Sequence, residues 1–438
     1  MNNIIYGNSV PTPAMTSFDA EKITAESYSV ESYVFKDAFQ KDYTFEDLLE
    51  NENATFNCQH GSYAFDDDVK FKSKRAIKLI PSDSLQTTFR MIYPAGNFFN
   101  IIGLQELVAF LYVENITELS LFEVRFTLDD GSSQQNYTLS VDESKLKNGW
   151  NAIRLPMVYS FAQHALYGTV SMFRIITNVT SADTVVYLGG LVAVRPNKAK
   201  IIFVDDHAYS NFYSLMYPRL KALGIPTTWA TQPGRFGKLI DENKGTLLTT
   251  TEVEELAQDP YSEFSFHTYI GAQTENMTEL ETQEDCQKSI TALRKLGVLP
   301  QNFWRAAWLH NLAPHAVSCQ EYMQAFAYSD AVVKNGAVEQ FPFINKYDIS
   351  RYSVHNRQDA DLEKIFLSLK NTHGTMILYT HSCCDGSNTD LSLAGIEKVI
   401  ALITQGVDEG WLEGTTFNRL CLKYDLNIEE KKYNNLLN

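Results

Sequence analysis

The chain has 438 residues, more than one ordinary core accommodates, and the length points to two or three domains. Its 53 Asp and Glu against 37 Lys and Arg leave a formal charge of -16, which excludes nucleic acid and anionic membrane surfaces as partners. A neutral polymer such as a glycan remains compatible, and 44% hydrophobic residues supply an ample globular core. The six cysteines have no Cys-x-x-Cys spacing, so neither a zinc ribbon nor a disulfide framework is expected, and the adjacent Cys383 and Cys384 are expected as small thiols packed in a loop. No stretch has the length of a membrane span, and the first residues lack the basic and apolar regions of a signal peptide. Export by the general route is therefore not expected.

Residues 1–55 are polar, acidic and weakly periodic, which is expected of a leader or attachment segment, or of an ordinary flexible terminus. From 56 to 196 short runs of β-branched and aromatic residues alternate with turn signals such as Asp129-Asp-Gly-Ser132 and Lys147-Asn-Gly-Trp150. That spacing predicts an antiparallel β-sandwich, similar at the level of fold to many carbohydrate-binding modules. Tyr93, Phe98, Phe99, Trp150 and Tyr159 are its candidate sugar-stacking aromatics, against the ordinary reading of core or edge residues.

After a polar linker at Val194–Ala199, apolar strands alternate with amphipathic helices. Strands are expected at Ile201–Val204, Pro226–Ala230, Phe264–His267, Phe303–Ala306 and Thr375–Thr380. Helices are expected at Asn211–Leu223, Glu252–Gln258, Leu280–Leu296, Ala313–Ala325, Asp359–Asn371 and Leu391–Asp408. Repeated βα units imply a parallel sheet, closed into a barrel or open, with chemistry at the strand C-terminal ends. Residues 426–438 form a tail.

Four of those strand ends carry chemically capable residues: Asp205-Asp206, His267, Arg305 and His381. Adjacent carboxylates resist ionising together, so such a pair holds a cation or keeps one proton. Metal-assisted hydrolysis needs carboxylate and imidazole ligands, a base for water and an acid for the leaving group, and all these residue types are present.

The segments Phe203-Val-Asp-Asp-His207, Pro218-Arg-Leu-Lys-Ala-Leu-Gly224, His267-Thr-Tyr-Ile-Gly271, Arg305-Ala-Ala-Trp308 and Met376-Ile-Leu-Tyr-Thr-His381 resemble, in order and approximate spacing, the motifs of the polysaccharide deacetylases of carbohydrate esterase family four. The resemblance covers roughly 199–425 and implies a distorted (β/α) barrel that removes acetyl groups from an acetylated polysaccharide or oligosaccharide. It implies Asp205 as general base, Asp206 and His267 as ligands of a divalent metal, commonly zinc, Arg305 as the group orienting Asp205, the Trp308 backbone N–H at the oxyanion, and His381 as general acid.

Three positions depart from the family's pattern. Gly271 stands where the family has a second metal histidine, His207 where it has glycine, and Ala307 where it has proline. A catalytic zinc usually has three protein ligands, so a third is sought in His207, with His310, Gln273 and Glu275 as weaker substitutes. A different class of function is a catalytically degenerate barrel that only binds glycan or serves as a structural component; a third is an amidase on a non-sugar amide. Without an export signal, and with a polar leader ahead of the sandwich, the expected location is cytoplasmic, or extracellular by delivery on a phage or prophage tail.

Overall fold

A computed structural model describes residues 43–424 apart from 72–73, 105, 130–133, 142, 144–145, 157–167, 243, 272–276, 299–302, 308–324, 327–337, 340–350 and 385–389. The described chain divides into two compact units, with the break between Asn197 and Lys198.

The first unit holds strands β1 (Tyr43–Asp47), β2 (Thr55–Cys58), β3 (Ser62–Phe71), β4 (Lys74–Ile80), β5 (Gln86–Ile92), β6 (Phe99–Asn100), β7 (Glu106–Val113), β8 (Leu119–Asp129), β9 (Gln134–Ser140), β10 (Gly149–Pro156), β11 (Thr169–Val179) and β12 (Val186–Pro196). They form two six-stranded antiparallel sheets, one ordered β10-β7-β12-β4-β3 with β1 also on β12, the other β2-β5-β11-β8-β9 with β6 on β11. Tyr63 of one sheet meets Phe89 of the other, ring centroids 5.2 Å apart. Burial of Phe89, Phe110, Phe122, Phe126 and Phe173 supplies the apolar area that holds the unit together.

The segment expected as a leader up to residue 55 enters this sheet at Tyr43, where β1 pairs with β12 from Tyr43↔Pro196 to Asp47↔Val192. Its five residues YTFED are too short to show a period among acidic neighbours, and the partner lies some 150 residues away. Trp150 is a core residue at 7% exposure, edge-on to Tyr112, and Tyr159 lies outside the described residues.

The second unit holds β13 (Ala199–His207), β14 (Thr227–Thr231), a small hairpin β15 (Leu239–Asp241) and β16 (Gly245–Thr246), β17 (Ser262–Phe266), β18 (Phe303–Ala307), β19 (Ala325–Phe326), β20 (Val338–Glu339), β21 (Tyr352–Ser353), β22 (Thr375–Thr380) and β23 (Leu412–Gly414). The main sheet is ordered β19-β18-β17-β14-β13-β22-β20, with β21 on β22 and β23 on β13. All pairings are parallel except β20 with β22. Among the described residues the pairings trace an open path.

Helices α1 (Ser210–Leu215), α2 (Tyr217–Ala222), α3 (Thr250–Ala257), α4 (Glu279–Lys295), α5 (Asp359–Thr372), α6 (Leu393–Asp408) and α7 (Phe417–Tyr424) connect the strands. The single helix expected at 211–223 is broken at Met216, because Pro218 in the first turn of α2 brings no N–H to continue the ladder. α3 and α4 each open on a capping box, Thr249 with Glu252 and Thr278 with Glu281. The expected helix at 313–325 falls largely outside the described residues, and Ala325 itself begins β19.

Candidate active site

β13 is the centre of the sheet, flanked by β14 and β22, and its apolar run Ile201–Val204 is fully buried as a strand covered on both faces requires. Its last three residues are Asp205 and Asp206, both at 0% exposure, and His207, with Asp205 level with Trp229 on one side and Thr380 on the other. His381 follows β22 directly, and His267 follows β17, its N–H donating to the Thr231 carbonyl at 2.6 Å. Three separate strand ends therefore deliver carboxyls and imidazoles to one place.

His207 closes the cluster. Its ring lies 4.5 Å from that of His267 and 5.1 Å from that of His381. Its φ of 78° and that of Ala208, 62°, put two successive non-glycine residues in the left-handed region, a strain that persists only where packing over-determines it. The position where the resembled family has glycine thus keeps a backbone that favours glycine but carries an imidazole turned into the cluster.

Two groups join that the sequence did not single out. Arg351, just before β21, donates through Nη1 to both carboxylate oxygens of Asp206 at 2.8 Å, and its Cζ stacks 3.8 Å from the centroid of the Tyr379 ring. His355, just beyond β21, lies 5.2 Å from His381 by ring centroids. β21 is a two-residue strand without an apolar run, so no periodicity marks it; only its pairing with β22 brings Arg351 and His355 in.

The electrostatics follow from burial. Asp205 is pushed well above the usual carboxylate range by desolvation; the Tyr209 N–H that Oδ2 accepts at 2.8 Å opposes this, and the Asp206 charge adds to it. Its Oδ1 has no hydrogen-bond partner among the described residues. Burial works on Asp206 too, but the Arg351 guanidinium, then His267 and His381, outweigh it and hold this carboxyl below its usual range. His381 and His355 are each lowered to about 4, and His207 is lowered well below its ordinary value, in every case chiefly by burial. The pair thus divides its labour: one neighbour is held ionised and the other favours its proton.

Arg305 lies in β18, three places along the sheet from β13; its side chain, Trp308, His310, Gln273 and Glu275 lie outside the described residues. The cation seen at the acidic pair is Arg351, and it engages Asp206. Gly271 has φ 78°, and a Cβ built there would meet Gln232 Nε2 at 2.9 Å and Arg235 Nη1 at 3.1 Å. A side chain at 271 would hold a backbone that L residues rarely adopt and would require Gln232 and Arg235 to shift.

A divalent ion was expected at Asp206, His267 and His207. The side chains as they stand do not fit one: both Asp206 oxygens accept from Arg351, and among the described residues no three His, Cys, Asp or Glu side chains are arranged to share an ion. A metal at Asp206 would also lie against a guanidinium.

No protein-family model matches the chain, and no curated protein matches it. Among solved structures it is similar to the Xyl-CE4 domain of a multidomain xylanase from the hindgut metagenome of Trinervitermes trinervoides, at 13% identity, TM-score 0.31, covering 52% of this chain and 91% of that one. A mutant of a peptidoglycan deacetylase from Bacillus subtilis matches at 10% identity and TM-score 0.31, covering 55% and 97%. A family 30 carbohydrate-binding module matches at 10% identity and TM-score 0.27, covering 35% and 99%. These are distant likenesses of fold.

Proposed function

We propose that the parallel-sheet unit is a hydrolase that removes acetyl groups from an acetylated glycan, working with carboxyl, imidazole and guanidinium groups of its own. The observation that carries this reading is the convergence of Asp206, His207, His267 and His381 from three strand ends, with a buried cation just ahead of a fourth strand and the Asp205 carboxyl coupled to Asp206. Acids and imidazoles this deeply buried are costly to a fold and are concentrated where proton transfer is done.

In this scheme Asp205, when ionised, takes the proton of the attacking water through the carboxyl oxygen that has no other partner. Its raised pKa makes it a stronger base than an exposed aspartate. Asp206 is held in place by Arg351, whose charge is the positive centre of the cluster. The proton that Asp205 takes from water is the one the departing group needs; His381, neutral at neutral pH and with Nε2 3.8 Å from Asp206 Oδ2, relays it there, and Asp205 is left ionised for the next turnover. Activity should therefore rise with pH as Asp205 ionises.

The test is acetate release from acetylated xylan and from N-acetylglucosamine oligomers by the full chain, with zinc and with a chelator. Asp205→Asn should lower release by roughly 10²–10⁴-fold while leaving the fold intact, and chelator should leave it unchanged. No acetate from any of these substrates in either condition would remove the hydrolase reading. The Arg351–Asp206 pair favours a second reading, a catalytically degenerate sheet that only binds glycan, and that outcome would select it.

A further inference from the structure

The outward face of the sheet β2-β5-β11-β8-β9 carries a row of arginines. Arg90 of β5 stands directly opposite Arg174 of β11, and Arg174 directly opposite Arg125 of β8, with Asn57 of β2 and Thr138 of β9 at the two ends of the row. All three side chains leave the core, because their neighbours along each strand, Phe89 and Met91, Phe173 and Ile175, Val124 and Phe126, are fully buried.

Like charges placed opposite each other across strands destabilise a sheet, so such a row calls for an anion. The protein supplies one carboxylate. Glu123 Oε2 accepts from Arg125 Nε at 2.8 Å and from Nη2 at 2.5 Å. Arg90 Nε donates to the Asn57 amide oxygen at 2.7 Å, and Arg174 Nη2 donates to the Thr127 hydroxyl at 3.3 Å and to the Asn136 amide oxygen, all of them neutral acceptors. The flanking rows, Thr88-Ile176-Glu123-Ser140 and Ile92-Met172-Thr127-Asn136, bring no further acid. Among the described residues three guanidiniums therefore share one carboxylate, in a chain whose formal charge is -16.

Arg174 stands between the other two. Its Nε is enclosed without a hydrogen-bond partner among the described residues, and burial, then Arg125, then Arg90, pull the guanidinium below its ordinary range. That Nε is sealed within the row and reaches nothing outside it. Nη1 of Arg174, Nη1 of Arg125 and both Nη atoms of Arg90 are neither enclosed nor bonded among the described residues, so open N–H groups from three adjacent strands share one surface.

The forks decide what this surface takes. A guanidinium engages two oxygens at once, and a carboxylate has only two, in one plane, enough for a single fork. A phosphate group offers three or more oxygens in a tetrahedron and a charge of about -1.5 to -2 at neutral pH, enough for forks arriving from several strands. The acidic remainder of the chain repels a long polyanion, while a compact one stays within the local screening distance of about 8 Å.

We propose that Arg90, Arg174 and Arg125 form a binding site for one phosphate group, inorganic or carried as a monoester, on the outward face of this sheet. The proposal does not rest on the hydrolase reading, since none of these residues belongs to the parallel-sheet unit.

Calorimetric titration of the full chain in chloride buffer near neutral pH, with inorganic phosphate and with glycerol 3-phosphate, tests it. Saturable binding with a Kd of about 1 mM or tighter is expected for at least one. Inorganic phosphate bound as tightly as the ester, or more so, identifies the free ion as the ligand; tighter binding of the ester identifies a phosphate borne on a larger molecule. Arg174→Met and Arg90→Met should each weaken binding about tenfold, the worth of one charge-assisted hydrogen bond. Arg174→Met should leave the unligated chain as stable as before or more so, since a like-charge contact is removed, and phosphate should raise the thermal midpoint of the unsubstituted chain more than that of this variant. A purely structural arginine would show the reverse, lost stability with unchanged affinity. Malonate, a dianion with flat carboxylates, should bind at least about tenfold more weakly than phosphate. No saturable binding of either phosphate probe up to about 10 mM, full affinity in the Arg90→Met, Arg174→Met double variant, or malonate bound as tightly as phosphate overturns the proposal.

Discussion

Asp205 and Glu263 are both buried carboxyls of one parallel sheet, and their surroundings differ in the way that separates work from structure. Glu263, on β17, accepts the Thr228 hydroxyl at 2.8 Å and the N–H groups of Phe417 and Asn418 at 3.1 and 2.7 Å, which caps the start of α7. Both of its oxygens are used. Asp205 receives one N–H, has an oxygen with no described partner, and is coupled to a second acid, Asp206, that itself faces His267 and His381. Burial raises both acids, Glu263 to about 7, but the hydrogen bonds at Glu263 tie down chain, whereas Asp205 keeps an oxygen in reserve.

The sharpest way to break that contrast is at Arg351. Arg351→Met leaves the Asp206 carboxylate buried without its cation and should cost about 3–5 kcal/mol in denaturant unfolding. Arg351→Met should also gain zinc affinity, read as metal content after dialysis, because Asp206 is then released toward His267. An unchanged midpoint would mean that the ion pair contributes nothing.

Next in size, taken one residue at a time, is the response to acid. His355 and His381, each lowered to about 4, bind protons in the unfolded chain near pH 6.5 but resist them when folded. Stability should therefore fall as pH drops from about 6.5 to about 4, by on the order of 3 kcal/mol per histidine. Glu263 pulls the other way: its raised pKa means stability is lost as pH rises from about 4.5 to about 7. In Glu263→Gln the opposing term is gone, so unfolding curves across this window should show a steeper dependence on pH than in the unsubstituted chain.

Smaller again, Glu263→Leu orphans the Phe417 and Asn418 N–H groups and should cost roughly 1–3 kcal/mol without altering acetate release per folded molecule. Smallest in stability is Asp205→Asn, under about 1 kcal/mol, since an amide fits a site that already favours the uncharged form. If the stability effects of Glu263→Leu and Asp205→Asn were equal, the distinction between the two acids would not hold.

Much of the second unit was legible because parallel strands buried on both faces read as unbroken apolar runs, and the first polar residue after each run marks a strand end. Ile201–Val204 before Asp205 and Met376–Tyr379 ahead of His381 have that form, although β13 runs on to His207, whereas β17 is interrupted by Glu263 and Ser265 and is read from its phenylalanines. Capping boxes at Thr249 and Thr278 likewise announce α3 and α4 locally.

By itself the sequence determined which residues end strands and which segments bury both faces, because those properties depend on side-chain polarity at neighbouring positions. The tertiary structure decided that Arg351 stands at the acidic pair, that it takes Asp206, and that Gln232 and Arg235 fill the space beside Gly271. It also drew β1 out of an apparent leader and onto β12. Strand pairing joins residues more than a hundred positions apart and costs only loop-closure entropy that grows slowly with distance, so no local pattern records which partner is chosen.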